Sequence, residues 1–235
     1  MKIQIKQKVL GSVLFEGDFS CIADAIKAAI KSSADMRYAD LSYADLRSAD
    51  LSSADMRYAD LSYADLRSAD LRSASLRSAS LRSADLRSAD LSSADMRSAD
   101  LSYADLSYAD LSYADLRSAD LRSANLRSIK QDFWAVLLHA IPEIPALRAA
   151  LVAGKVNGTQ YSGECACLVG TIANARHCSY TDLGALKADS ERPSERWFLA
   201  ITEGCTPENS QPCALAVEWL DEFTGLISAA KGVTL

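Results

Sequence analysis

Proline is missing from the first 141 residues of this 235-residue chain; all five (Pro142, Pro145, Pro193, Pro207, Pro212) lie beyond them. Long apolar runs are missing too. No stretch reaches the roughly 18 apolar residues a membrane-crossing helix needs. The first ten residues, MKIQIKQKVL, lack the apolar core of a secretory signal. A soluble, cytoplasmic protein that binds no membrane is the expectation. Positive charge is in deficit: 25 Lys and Arg against 31 Asp and Glu give a net charge of −6, so a basic face holding nucleic acid directly is not expected. Six cysteines (Cys21, Cys165, Cys167, Cys178, Cys205, Cys213) are scattered through a chain too large to need disulfide staples. Without an export signal they read as reduced thiols.

What is present is periodic. Residues 33–52 read SADMRYADLSYADLRSADLS, and residues 53–72 repeat them with one difference in twenty. Within each block Ala-Asp-Leu-x-x recurs every five residues. An α-helix advances about 100° per residue, so leucines five apart would scatter around it. A flat strand would send successive leucines to opposite faces. Yet Met36, Leu41, Leu46 and every fifth residue to Leu126 are aliphatic, and the Ala two places earlier runs from Ala34 to Ala124. Such a chain must turn a corner every five residues. The twenty-residue echo makes four sides one coil, with residues twenty apart stacked. Met36, Met56 and Met96 obey that register, as do the pairs Tyr38 with Tyr58 and Tyr43 with Tyr63.

These units resemble the pentapeptide-repeat family, whose motif is A(D/N)Lxx, over residues 33–128. The resemblance implies a mainly β fold, a right-handed quadrilateral β-helix with the central Leu and the preceding Ala inside. Nineteen centres, Met36 to Leu126, make four to five coils. At about 4.8 Å per coil the rod is roughly 20–25 Å long.

Exposed solenoid ends need covers. Residues 1–32 read as an N-terminal cap: short strands KIQIKQ and VLFEG, then a helix, CIADAIKAAIK, N-capped by Ser20. Residues 129–153 read as a capping helix broken at Pro142 and Pro145, with Phe133, Trp134, Leu137, Leu138 and Ile141 as its apolar face. Residues 154–235 read as a small globular, mostly α-helical C-terminal domain that adds a contact or a homo-oligomer interface.

Asp before each Leu and the two residues after it should face outward. The block 93–112 holds four Asp and one Arg. The candidate partner-binding patch is Asp95, Asp100, Asp105, Asp110 and Asp115, with Tyr103, Tyr108 and Tyr113 as contact anchors. Some members of the resembled family are DNA mimics that inhibit type II topoisomerases. The resemblance thus implies a non-enzymatic protein-binding module, in a bacterial or phage setting, that occupies a DNA-handling enzyme such as a topoisomerase or defence nuclease. Two readings compete with it. One is a self-compensating Asp/Arg lattice, suggested by the column Arg37, Arg57, Arg77, Arg97 and Arg117, whose exposed pairs add little stability. The other is a plain structural spacer.

In the last segment, Ser162 or Gly163 is expected to open a helix running through Ala175. Ser210 is expected to N-cap another, with Pro212 in its first turn and Leu215, Trp219, Leu220 and Phe223 in the core. RWFLAI reads as a short buried strand or a helix. Cys165 or Cys167 near a helix N-terminus, with His177 and Asp182, forms a candidate nucleophile set; the competing reading is a small buried hydrophobe. Cys165, Cys167, His177 and Cys178 are also weighed as zinc ligands, at a spacing that matches no common finger. His139, among apolar neighbours, reads as a core or cap histidine. The stretch 154–158, GKVNG, is a turn and not a phosphate loop. No catalytic residue, metal or cofactor is expected.

Overall fold

A chain that turns every five residues must still find an acceptor for every backbone N–H. The computed structural model, which describes residues 1–164, 166–190 and 192–231, solves this with one recurring scheme. Around Leu61, the Leu61 N–H donates to Ser80 O in the next coil at 2.7 Å, Tyr63 N–H to Arg82 O at 2.9 Å, and Asp65 N–H to Ala44 O in the previous coil at 3.0 Å. Ala64 N–H closes the corner onto Leu61 O at 3.1 Å. The fifth donor, Ser62 N–H, goes to the Asp60 side chain at 2.9 Å. That last bond is why the motif wants Asp or Asn before Leu: the side chain accepts the one amide that no carbonyl reaches.

Parallel bridges join residues twenty apart, from Asp40 with Asp60 to Asp105 with Asn125. One coil is therefore twenty residues with four sides. Each side contributes a single bridge residue, so regular strands are few, and the mainly β character lies in the ladder of bonds between coils. The corner residue is left-handed. Nineteen residues, Ser33 to Ser123 at every fifth position, have φ between 54° and 62°, and each is Ser or Tyr, never Gly. The conformation costs roughly 1 kcal/mol per residue, and stacking holds it in place.

Inside, Leu46 to Leu106 are all at 0% exposure, with Met56 and Met96 among them, and every motif Ala from Ala49 to Ala119 is buried. Each buried Leu contributes about 1.5–3 kcal/mol, and Ala leaves room for the four spines to meet. Two strands precede the coils: β1 (Lys2–Gln7) and β2 (Val13–Asp18). They form an antiparallel hairpin, and β1 also pairs with β3 (Ala39–Asp40) in the first coil. Helix α1 (Ile22–Lys31) packs on both hairpin strands and buries Ala25, Ile26 and Ala29. Its N-cap is Cys21 rather than the expected Ser20; the Ser20 hydroxyl donates to Asp24 in the first turn instead.

The chain divides into two compact units, Met1–Leu126 and Arg127–Leu235. The second unit is helical: α2 (Arg127–Leu138), α3 (Ile144–Val152), α4 (Leu168–Arg176), α5 (Pro193–Phe198) and α6 (Gln211–Lys231). A 3-10 turn at Ile141–Glu143 carries the break at the prolines, where the path bends by 101°. Its core is aromatic. Phe133 packs on Phe198 at 5.5 Å between ring centroids, Trp197 on Trp219 at 5.4 Å, and Trp134 on Phe223 at 5.9 Å.

Several details depart from expectation. α4 begins at Leu168, with Cys167 as N-cap, because its Sγ accepts from Gly170 N–H at 3.5 Å; Ser162 and Gly163 lie in the loop before it. RWFLAI is helical as far as Phe198, because Pro193 at the first helical position starts a helix there. Ser210 caps α6 as expected, its Oγ accepting from Cys213 N–H at 3.4 Å, while Leu215 is only half-buried. Leu138, placed on the apolar face of α2, is 57% exposed. Among the described residues no single helix is long and apolar enough to cross a membrane.

Candidate functional site

Because the register is twenty, the outer surface sorts into four columns. Nine of the sixteen aspartates of the array are each followed two residues later by an arginine that clamps them, with Nη2–Oδ2 distances of 2.5–2.7 Å. Side-chain hydrogen bonds from the paired arginine hold these carboxyls below their ordinary range, with Asp35 and Asp45 lowered to about 2. Arg97 also lies 3.6 Å from Asp115 in the next coil, and Arg67 lies 3.6 Å from Asp85. On these sides the self-compensating lattice is real.

The expected patch is dispersed. Asp95 and Asp115 stack in one column, each clamped by its own arginine, Arg97 and Arg117. Asp100, Asp105 and Asp110 belong to the other three columns. Five carboxylates adjacent in sequence thus form a belt around a coil and not one face. Asp105 accepts from Ser107 Oγ at 2.5 Å and from Asn125 Nδ2 at 3.1 Å. Tyr103, Tyr108 and Tyr113 are 57%, 74% and 60% exposed and take three successive corners. Arg82 sits over the Tyr103 ring, 5.2 Å from its centroid.

One column does concentrate charge. Asp50, Asp70, Asp90 and Asp110 stack in consecutive coils. Three of the four are followed by serine (Ser52, Ser92, Ser112), which donates its amide at 2.9–3.2 Å to the aspartate. Arg72 supplies the column's one arginine, clamping Asp70 and lying 3.8 Å from Asp90. Four carboxylates and one guanidinium leave −3, whereas the side of Asp35, Asp55, Asp95 and Asp115 carries five arginines and a net +1. Reading along the chain misses this column; counting by twenties finds it.

Among the described residues the chemical sets weighed in the second unit are not assembled. Cys167 is buried, and desolvation pushes its thiol up to about 12, away from a reactive thiolate. His177 caps the opposite end of α4 in a left-handed conformation; ten residues of helix put it roughly 15 Å from Cys167. Cys178 follows His177 at that far end, and Cys165 lies outside the described residues. Among the described residues no group of three or more His, Cys, Asp or Glu side chains is placed to hold a metal ion. His139 is exposed rather than buried, and its carbonyl accepts from Arg176.

A residue that the sequence did not mark is Glu195 on α5. It is 4% exposed, and its Oε1 has no hydrogen-bond partner among the described residues. Burial pushes the carboxyl up to about 7, opposed by Arg192 and assisted by Asp189 and Asp132. Asp132 is itself held by Ser194, through the amide at 3.0 Å and the hydroxyl at 2.6 Å.

The profile described as Pentapeptide repeats matches in eight copies over residues 34–72, 64–102 and 99–129. Among solved structures the chain is similar to Rfr23, a pentapeptide repeat protein from the cyanobacterium Cyanothece 51142. Identity is 34% over 33% of this chain and 56% of that one, with a TM-score of 0.30. It is similar to HetL of Nostoc sp. strain PCC 7120, a protein involved in heterocyst differentiation regulation, at 37% identity over 39% and 51% of the two chains and a TM-score of 0.23. It is also similar to alr5209, a pentapeptide repeat protein from Nostoc PCC 7120, at 38% identity over 44% and 74%, with a TM-score of 0.23. The chain spans about half the length of the first two. No curated protein matches it. Eight copies of the motif over residues 34–129 establish that this array belongs to the pentapeptide-repeat family.

Proposed function

We propose that the repeat unit, a right-handed quadrilateral β-helix as the family implies, is a non-enzymatic module that binds a protein partner through its acidic column. The observation that carries the reading is the stack Asp50, Asp70, Asp90 and Asp110, in which Arg72 is the one arginine at the position two residues after the aspartate. At about 4.8 Å per coil these four carboxylates span roughly 14 Å. One strand of B-DNA sets a phosphate every 3.4 Å or so and would place four or five charges in that length. Net of Arg72 the column's −3 falls somewhat short of the charge of a single strand over that length, while the array as a whole, with its paired arginines, falls far short of a duplex.

The partner this favours is a DNA-handling enzyme, a topoisomerase or a defence nuclease, whose basic groove takes carboxylates in place of phosphates. The setting proposed is the cytoplasm of a bacterium or of a phage-infected cell. Capture from bacterial lysate with the full chain tests it, comparing wild type with the triple variant Asp50→Asn, Asp90→Asn, Asp110→Asn. Asparagine keeps the oxygen that accepts the backbone amide and removes the charge. Loss of the captured enzyme with the variant supports the proposal; equal recovery by both sinks it.

A further inference from the structure

Nine of the array's twelve arginines follow an aspartate by two residues; of the other three, Arg127 follows Asn125, and two follow a serine. Ser75 and Ser80 stand at the Asp position of the motif, followed by Arg77 and Arg82. The backbone does not change there. Ser75 bridges Asp55 and Asp95, Ser80 bridges Asp60 and Asp100, and the corners Ser78 and Ser83 keep φ of 57° and 56°.

In each of the nine Asp-x-Arg units three donors converge on one carboxylate. In the unit of Asp85 and Arg87, for example, they are the backbone N–H at 3.2 Å, Nε at 2.8 Å and Nη2 at 2.6 Å. At Ser75–Arg77 and Ser80–Arg82 the carboxylate is gone and the donors remain. Among the described residues neither the Arg77 nor the Arg82 amide has a hydrogen-bond acceptor, and neither guanidinium has a carboxylate within 4.0 Å. Both arginines are exposed. Tyr103 carries the Arg82 guanidinium on its ring, while Asp95, the acidic neighbour of Arg77, is already clamped by Arg97.

We propose that Ser75–Arg77 and Ser80–Arg82 are two neighbouring oxyanion sockets that bind a carboxylate or phosphate group supplied by a ligand. Serine keeps the Cβ and a hydroxyl while vacating the space of the carboxyl. An incoming oxyanion completes the same charge-assisted, bidentate arrangement that the chain supplies for itself elsewhere. The sockets lie on adjacent sides of one coil, so a ligand with two such groups would wrap a single corner.

The test uses full-length, 15N-labelled protein titrated with sodium acetate and, separately, sodium phosphate, with chloride holding ionic strength constant. The Arg77 and Arg82 amides, identified by their loss or shift in Arg77→Gln and Arg82→Gln, are expected to move and saturate. The amides of Arg67 and Arg97, whose sockets hold Asp65 and Asp95, are expected to stay. The double variant Ser75→Asp, Ser80→Asp, which restores the motif and so retains the fold, is expected to weaken binding by about tenfold or more. Saturation by acetate identifies a side-chain carboxylate as the source, and saturation by phosphate alone identifies a phosphorylated one. No saturable shift with either salt, equal shifts at Arg67 and Arg97, or undiminished binding by the double variant overturns the proposal.

Discussion

Replacing Glu195 with Gln should remove from the helical unit a loss of stability that develops as pH rises. Glu195 is 4% exposed, its Oε1 has no hydrogen-bond partner among the described residues, and its carboxyl is raised from an ordinary 4.5 to about 7. Below pH 4.5 the folded and unfolded chains both carry the proton, so the residue makes no difference to stability. Between 4.5 and about 7 the unfolded chain ionises and the folded one does not, so the folded state binds more protons and stability falls as pH rises. At 1.36 kcal/mol per pH unit, the span from 4.5 to about 7 amounts to about 3 kcal/mol, lost by pH 8. Glutamine has the same shape and no charge. Glu195→Gln should therefore match wild type most closely near pH 5 and exceed it by about 3 kcal/mol at pH 8. All three tryptophans (Trp134, Trp197, Trp219) lie in Arg127–Leu235, so urea unfolding followed by tryptophan fluorescence reports this unit alone. The measured quantity is the wild-type to variant difference at each pH, which cancels any constant effect of the amide. A difference that stays the same from pH 5 to pH 8 refutes the reasoning.

Asp85→Ala should cost about 1 kcal/mol by stripping the Arg87 amide of its acceptor, while Asp85→Asn keeps an oxygen there and costs less; thermal melts by circular dichroism separate the two. Leu86→Ala, at a fully buried position, should cost about 2–5 kcal/mol in the same melts. The clamped aspartates have lowered pKa values, so their contribution is present above the ordinary value of 3.8 and is lost as pH falls towards about 2, the value reached at Asp35 and Asp45. The melting temperature of the repeat unit should therefore drop between pH 4 and 2, with a smaller drop at high salt, which screens the Coulomb part of these exposed pairs.

The spine was legible because burial at every fifth residue admits few other geometries: Leu41 to Leu126 and their alanines announce a cornered chain before any coordinate is known. The role of Asp60 or Asp85 was not, because serving a stranded amide two residues on is a property of backbone direction. Charge was misjudged for a related reason. Asp100, Asp105 and Asp110 are neighbours in sequence, but turning the chain at Tyr103 and Tyr108 sends them to different sides, while Asp50 and Asp110, sixty residues apart, share one. In the helical unit the aromatic anchors Trp219 and Phe223 were readable from helical spacing. The start of α4 was not, since cysteine is no usual cap, and the fate of Glu195 was hidden by the charged stretch ERPSER, which looks like surface.

The left-handed corners and parallel bridges repeat the same backbone connections from one coil to the next. A genetic exchange that inserts or deletes twenty residues anywhere between Ser33 and Ser123 would lengthen or shorten the stack by one storey and leave every column in line. A loss of five would instead rotate all that follows by a quarter turn and reassign its charges to different sides. The near-identity of residues 33–52 and 53–72 is what growth by whole storeys leaves behind. Selection can thus change the reach of the surface without having to reinvent its pattern.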